Sequence, residues 1–89
     1  MKTRQVLNRL FWDPHWRKFK RDVELVYIHR GNPGDVKVVA FEQIIKVLPS
    51  FFVHVDEVSG QEVQIPYHRI LTIRNRATGA EYYRKSDVA

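Results

Sequence analysis

Five clusters of turn-forming residues cut the chain beyond residue 22 into short pieces: Gly31-Asn32-Pro33-Gly34-Asp35, Pro49-Ser50, Glu57-Val58-Ser59-Gly60, Pro66-Tyr67-His68-Arg69 and Ala77-Thr78-Gly79. The pieces between them are rich in β-branched and aromatic residues, which favour strands. The clearest is Val23 to His29, where Val23, Leu25, Tyr27 and His29 share one face and Glu24, Val26, Ile28 and Arg30 the other. Both faces are largely apolar, so a central or covered position is expected. Further strands are expected at Val36–Val39, Phe51–Val55, Val63–Ile65, Ile70–Arg74 and Glu81–Arg84. Phe41 to Val47 reads as a helical turn running into another strand, with no boundary visible between them.

The first twelve residues have a different period. Thr3 suits an N-cap, and Val6, Leu7, Leu10 and Phe11 recur at helical spacing before Asp13-Pro14 ends the run. A helix this short persists only by laying its stripe on a sheet. The expected fold is therefore α+β: an N-terminal helix packed on a curled, mostly antiparallel sheet or small barrel of about six short strands. The helix stripe is expected to bury against Val26, Ile28, Ile65 and Ile70. A length of 89 residues suits one domain, residues 1–89.

Charge gives the first indication of a partner. Fifteen Lys and Arg against ten Asp and Glu leave a net charge of +5. Residues 1–30 carry eight basic and three acidic side chains, residues 31–61 two and four, and residues 62–89 five and three. A fold that gathers both basic ends onto one face would make an anion-binding surface for nucleic acid or phosphate, although many basic proteins bind neither. Cysteine is absent, which excludes a disulfide scaffold, a thiol nucleophile and a thiolate zinc site, and it is compatible with a cytoplasmic location. The four histidines lack metal-ligand spacing, so no metal and no cofactor are expected. No apolar run approaches the roughly 20 residues that span a bilayer, and the N-terminal segment lacks a signal peptide's apolar core, so no membrane association is expected.

Two segments stand out. Val26-Tyr27-Ile28-His29-Arg30-Gly31 and Ile65-Pro66-Tyr67-His68-Arg69-Ile70 each carry a tyrosine and then a His-Arg pair. Imidazole exchanges a proton or bonds a phosphate oxygen, and guanidinium presents a planar fork to two oxygens of one phosphate. Neighbours on a regular strand point to opposite faces, so both members of a pair reach one pocket only where the strand ends or bulges. Gly31 and Pro66 supply such breaks. The alternative is that the pairs merely solvate strand edges. A third stretch, His15-Trp16-Arg17-Lys18-Phe19-Lys20-Arg21, interleaves Arg17, Lys18, Lys20 and Arg21 with two aromatics. That mix belongs to surfaces binding single-stranded RNA, or to a chain end tucked onto the core.

The succession Tyr27-Ile28-His29-Arg30-Gly31-Asn32-Pro33-Gly34-Asp35 followed by Ile65-Pro66-Tyr67-His68-Arg69-Ile70 resembles the small, chiefly archaeal RNA cyclic-group-end recognition domain. The likeness takes in Phe11-Trp12-Asp13 and Tyr83-Arg84, so it spans roughly residues 3–84. It implies recognition of RNA termini bearing a 2′,3′-cyclic phosphate or 3′-phosphate, in association with RNA repair or processing proteins. His29, Arg30, His68 and Arg69 would meet the phosphate, and Tyr27 and Tyr67 would stack or offer hydroxyls. The chain departs from the family pattern at Pro49-Ser50 and at the hairpin Asp56–Gly60. Two other functions are consistent with the residues. One is a metal-independent phosphodiesterase or ribonuclease with His29 and His68 as base and acid; the other is a protein-interaction scaffold that uses strand edges. A binding module for single-stranded RNA ends is the leading expectation.

Overall fold

The computed structural model describes residues 3–18 and 20–85, with Trp16 and Arg17 described by backbone alone. Helix α1 spans Thr3–Trp12, and Pro14 opens a single further turn, α2 (Pro14–Arg17). The break between them follows from the proline, and the Asp13 carboxylate accepts the His15 backbone N–H at 2.9 Å, satisfying one of the donors at the new helix start. Seven strands follow: β1 (Val23–Ile28), β2 (Val36–Ala40), β3 (Ile44–Val47), β4 (Phe51–Val55), β5 (Glu62–Pro66), β6 (Ile70–Asn75) and β7 (Glu81–Arg84). Phe41–Gln43 forms the helical turn expected before β3, as one turn of 3₁₀ helix.

The strands make two antiparallel sheets rather than one curled sheet, and no barrel closes. The first runs β2-β1-β6-β7 and the second β3-β4-β5. The chain passes from the first sheet to the second through the 3₁₀ turn Phe41–Gln43. It returns through a second 3₁₀ turn at Tyr67–Arg69. Each turn interrupts the extended backbone, and so the ladder, at a corner. The sheets are also clamped by an ion pair: Lys37 on β2 donates to Asp56, just beyond β4, at 2.7 Å.

The core lies between α1, the inner face of the first sheet and the second sheet. Val6, Leu7 and Leu10 are fully buried, and Phe11 is half-buried against Phe41. Burial of such side chains contributes about 1.5–3 kcal/mol each, which holds a helix too short to stand alone. Ile65 and Ile70 join this core as expected; Val26 is buried but outside it, and Ile28 is only half-buried. The inner face of β1 is instead Val23, Leu25 and Tyr27. Glu24 shares the face of Val26 and Ile28, and it pairs in register with Arg74, whose Nε donates to it at 2.7 Å. Turning that face inward would bury the ion pair, so the uncharged face goes in. Val38, opposite Val26, remains 49% exposed on the outer face. Among the described residues no helix is long and apolar enough to cross a membrane.

Candidate nucleic-acid interface

β1 and β6 are hydrogen-bonded antiparallel neighbours, with Tyr27 opposite Ile70. The C-terminal end of β1 therefore lies beside the start of β6. His29-Arg30 leave the sheet where the 3₁₀ turn Tyr67–Arg69 enters it. The two His-Arg pairs, 39 positions apart in the chain, consequently line one depression of about 450 Å³ with Ile28. All four side chains are exposed, and no acidic residue is among those lining it. Both pairs sit where the strand geometry has lapsed, which frees neighbouring side chains from alternation.

The two rims are built differently. Beyond β1 the loop is closed by its own backbone: His29 N–H donates to the Asp35 carbonyl at 2.8 Å, Asn32 N–H to the His29 carbonyl at 3.2 Å, and Asp35 N–H to the Asn32 carbonyl at 2.8 Å. Gly31 has φ +98°, a conformation L side chains rarely adopt. The second rim is the single 3₁₀ turn, closed by Ile70 N–H on the Tyr67 carbonyl. Lys85 follows β7 and donates its ammonium to the His68 carbonyl at 2.7 Å, which adds a cation beside the depression. The family likeness in the sequence reaches only Tyr83-Arg84. Arg84 is instead turned back on Glu81 in an ion pair.

The tyrosines stand beneath this surface. Tyr27 is 1% exposed; its hydroxyl shares a 3.0 Å hydrogen bond with His54 Nε2, and its ring meets the His29 ring edge-on at 6.2 Å between centroids. Tyr67 is half-buried, stacked on Phe52 at 6.3 Å, with its hydroxyl donated to the Leu48 carbonyl. Burial raises both phenolic pKa values. His54, which appeared isolated in the sequence, is a buried member of the same aromatic group, packed against Tyr27 and Phe52. Its Nδ1 makes no hydrogen bond, and burial depresses its pKa, partly offset by the Val55 backbone. Asp56 is held well below the usual carboxylate range by the Lys37 ammonium and by hydrogen bonds from Ser59.

The third basic stretch is elsewhere. Lys18, Lys20 and Arg21 are exposed, whereas the Arg17 side chain and Phe19 lie outside the described residues. Lys20 and Arg21 precede the start of β1, so its six residues, roughly 20 Å of strand, separate them from the His-Arg depression. Lys20 and Arg21 thus stand at the opposite end of β1 from the depression, with Arg76 beside Arg21. Among the described residues no group of three or more His, Asp or Glu side chains is placed to hold a metal.

A UPF0248 protein of Methanococcus vannielii is 36% identical over 85 residues, covering 96% of this chain and 93% of the relative. The UPF0248 protein MJ1316 of Methanocaldococcus jannaschii is 32% identical over 82 residues, covering 92% and 91%. A UPF0248 protein of Thermococcus onnurineus is 40% identical over 68 residues, covering 76% and 68%. No solved structure matches the chain. The family model described as the MJ1316 RNA cyclic group end recognition domain matches residues 1–85, and the chain belongs to that family.

Proposed function

We propose that the domain binds RNA ends carrying a terminal phosphate, with a 2′,3′-cyclic phosphate as the leading ligand and a 3′-phosphate as its close relative, in RNA repair or processing. The observation that carries this reading is the meeting of two His-Arg pairs in one depression with no acidic lining. The family description supports the ligand class. A guanidinium fork from Arg30 or Arg69 fits the two non-bridging oxygens of a cyclic phosphate, and the imidazoles of His29 and His68 supply further N–H donors. An end with only hydroxyls offers the forks no charge. Tyr27 and Tyr67 act from below, bracing His29 and the turn, rather than stacking on a base. Lys18, Lys20 and Arg21 would meet the body of a longer strand and not its terminus.

The test is a pair of titrations with RNAs that differ only at the 3′ end. Arg30→Ala and Arg69→Ala should each weaken binding of the phosphate end about 10- to 150-fold, the equivalent of about 1.5–3 kcal/mol for hydrogen bonds to a charged group. Binding of the hydroxyl end should hardly change. Equal affinity of the parent protein for both ends would reduce the depression to a general basic surface. Two imidazoles at one site are also the arrangement for acid–base opening of a cyclic ester. RNA recovered after long incubation should remain cyclic; opening by the parent but not by His29→Ala or His68→Ala would make the domain an enzyme.

A further inference from the structure

The largest exposed aromatic among the described residues lies outside the depression. Trp12, the last residue of α1, is 73% exposed. With Phe11, Ile45, Lys46, Val47 and Leu48 it lines a groove of about 260 Å³ between the end of α1 and β3. The indole is not a loose side chain on a soft support. Phe11 lies beside it, with ring centroids 6.1 Å apart, and Phe11 packs in turn on buried Phe41 at 5.1 Å. An exposed tryptophan backed in this way is costly to leave in water, and such a patch ordinarily marks a contact surface.

We infer that the Trp12 groove is a second subsite for single-stranded RNA, in which one nucleobase stacks on the indole while Lys46 meets the adjoining phosphate. Two observations favour a base over a protein partner. The groove combines a flat aromatic face with a cation and has no acidic lining, which complements a base and its phosphate. It is also joined to the His-Arg depression through one side chain. The Tyr67 backbone leads directly into His68, and its hydroxyl ends on the carbonyl of Leu48 in the groove wall. An RNA strand with its terminal phosphate among His29, Arg30, His68 and Arg69 would thus pass over Tyr67 and reach Trp12 a fixed number of nucleotides from its end. This inference rests on the end-binding reading for its register, but not for the stacking itself.

The chain has two tryptophans, so a Trp16→Phe background makes Trp12 the sole indole emitter. This protein would be titrated with 3′-phosphorylated single-stranded oligonucleotides in which one of the nucleotides nearest the end is abasic. The expected result is quenching of Trp12 on binding, with one abasic position weakening affinity on the order of tenfold, within the range alanine substitution gives for base stacking. Trp12→Ala should weaken binding by a similar factor and be indifferent to that abasic position. Trp12→Phe should recover part of the loss, and the preference for a phosphate end over a hydroxyl end should be unchanged in both. Since Trp12 is exposed, equal melting temperatures of parent and variant serve as the folding control. A parent without end preference that still shows one sensitive base would support the groove while sinking end recognition. Unchanged Trp12 emission while end-selective binding proceeds would overturn the groove as an RNA site and assign its surface to a protein. Absence of RNA binding at low salt would overturn both.

Discussion

Val26–Gly31 and Ile65–Ile70 look like two copies of one device, but the protein folds them in two ways. In the first, the tyrosine lies within β1, faces the core and is almost completely enclosed, and the His-Arg pair runs off the strand end into a glycine loop. In the second, tyrosine, histidine and arginine together are the 3₁₀ corner between β5 and β6, and the tyrosine is only half-buried. Their hydroxyls differ as well: Tyr27 meets an ionisable side chain, Tyr67 a backbone carbonyl. What makes the segments equivalent is their destination, fixed by the antiparallel pairing of β1 with β6. The same four side chains are therefore held by a deeply rooted support on one side and a shallow one on the other.

The sharpest test of that asymmetry is truncation of the two tyrosines. Tyr27→Ala should cost about 3–5 kcal/mol, the range for removing a fully buried aromatic. That is a large part of the roughly 5–13 kcal/mol expected for a chain of this length. It leaves a cavity beside Phe52 and strands His54 without its partner. Tyr67→Ala should cost about half as much, because Tyr67 is only half-buried and its hydrogen bond to the Leu48 carbonyl is part-buried. Denaturant midpoints at neutral pH measure both. Equal losses would mean that the two segments are rooted alike and would break the comparison.

How much of this asymmetry was legible in the sequence follows from the range of the forces involved. The strands and the stop before Pro14 were readable, because turn residues and β-branched runs act on their immediate neighbours. Division into two sheets was not, since it depends on Phe41–Gln43 and Tyr67–Arg69 becoming corners, and only the first of these carried a helical hint. The inner face of β1 was misassigned because both faces look apolar until Glu24 is seen opposite Arg74, fifty positions later. The His-Arg residues were singled out by their chemistry, but their meeting needed the pairing of strands distant in the chain. Lys85, His54 and Trp12 carried little local signal. Lys85 depends on the β6–β7 pairing that sets it beside His68, His54 on the cross-sheet contact with Tyr27, and an aromatic at a helix end reads first as core.

The second prediction sharpens the comparison through pH. Only the Tyr27 support contains an ionisable partner. Burial places the folded-state pKa of His54 below the usual histidine value of about 6.5. As pH falls through and below that value, the unfolded chain takes up a proton that the folded His54 resists. The stability this histidine contributes is therefore present above about pH 6.5 and lost as pH falls toward the folded pKa. Asp56 has the same sign, but its window lies below the usual carboxylate range, so it stays ionised between pH 7 and 5 in both states. Denaturant midpoints should thus fall from pH 7 to pH 5 in the parent. The double variant Tyr27→Phe/His54→Phe, which removes both partners at once, should flatten that dependence. Tyr67→Phe should lower stability by about 1 kcal/mol equally at both pH values, because a carbonyl does not titrate. An unchanged slope in the double variant would assign the dependence elsewhere.

A third substitution isolates the rim that has no counterpart in the second segment. Gly31 holds φ at +98°, and a Cβ placed there meets nothing within 4 Å, so Gly31→Ala adds backbone strain without a clash. The cost should be about 1–2 kcal/mol, the order of the penalty an L residue pays in left-handed backbone. D-alanine, introduced by chemical ligation, should relieve most of it. The loop that relaxes is the one that carries Arg30, closed by the bonds of His29, Asn32 and Asp35. Binding of a phosphate-ended RNA should therefore weaken with L-alanine and recover with D-alanine. Combined with Arg30→Ala, the L-alanine change should weaken binding little further, since it acts through the same side chain. Combined with Arg69→Ala, it should add in full, because Arg69 is placed by the 3₁₀ corner and not by the loop. Equal behaviour in the two combinations would mean that the loop and the corner move together, and the separate support of the two pairs would have to be abandoned.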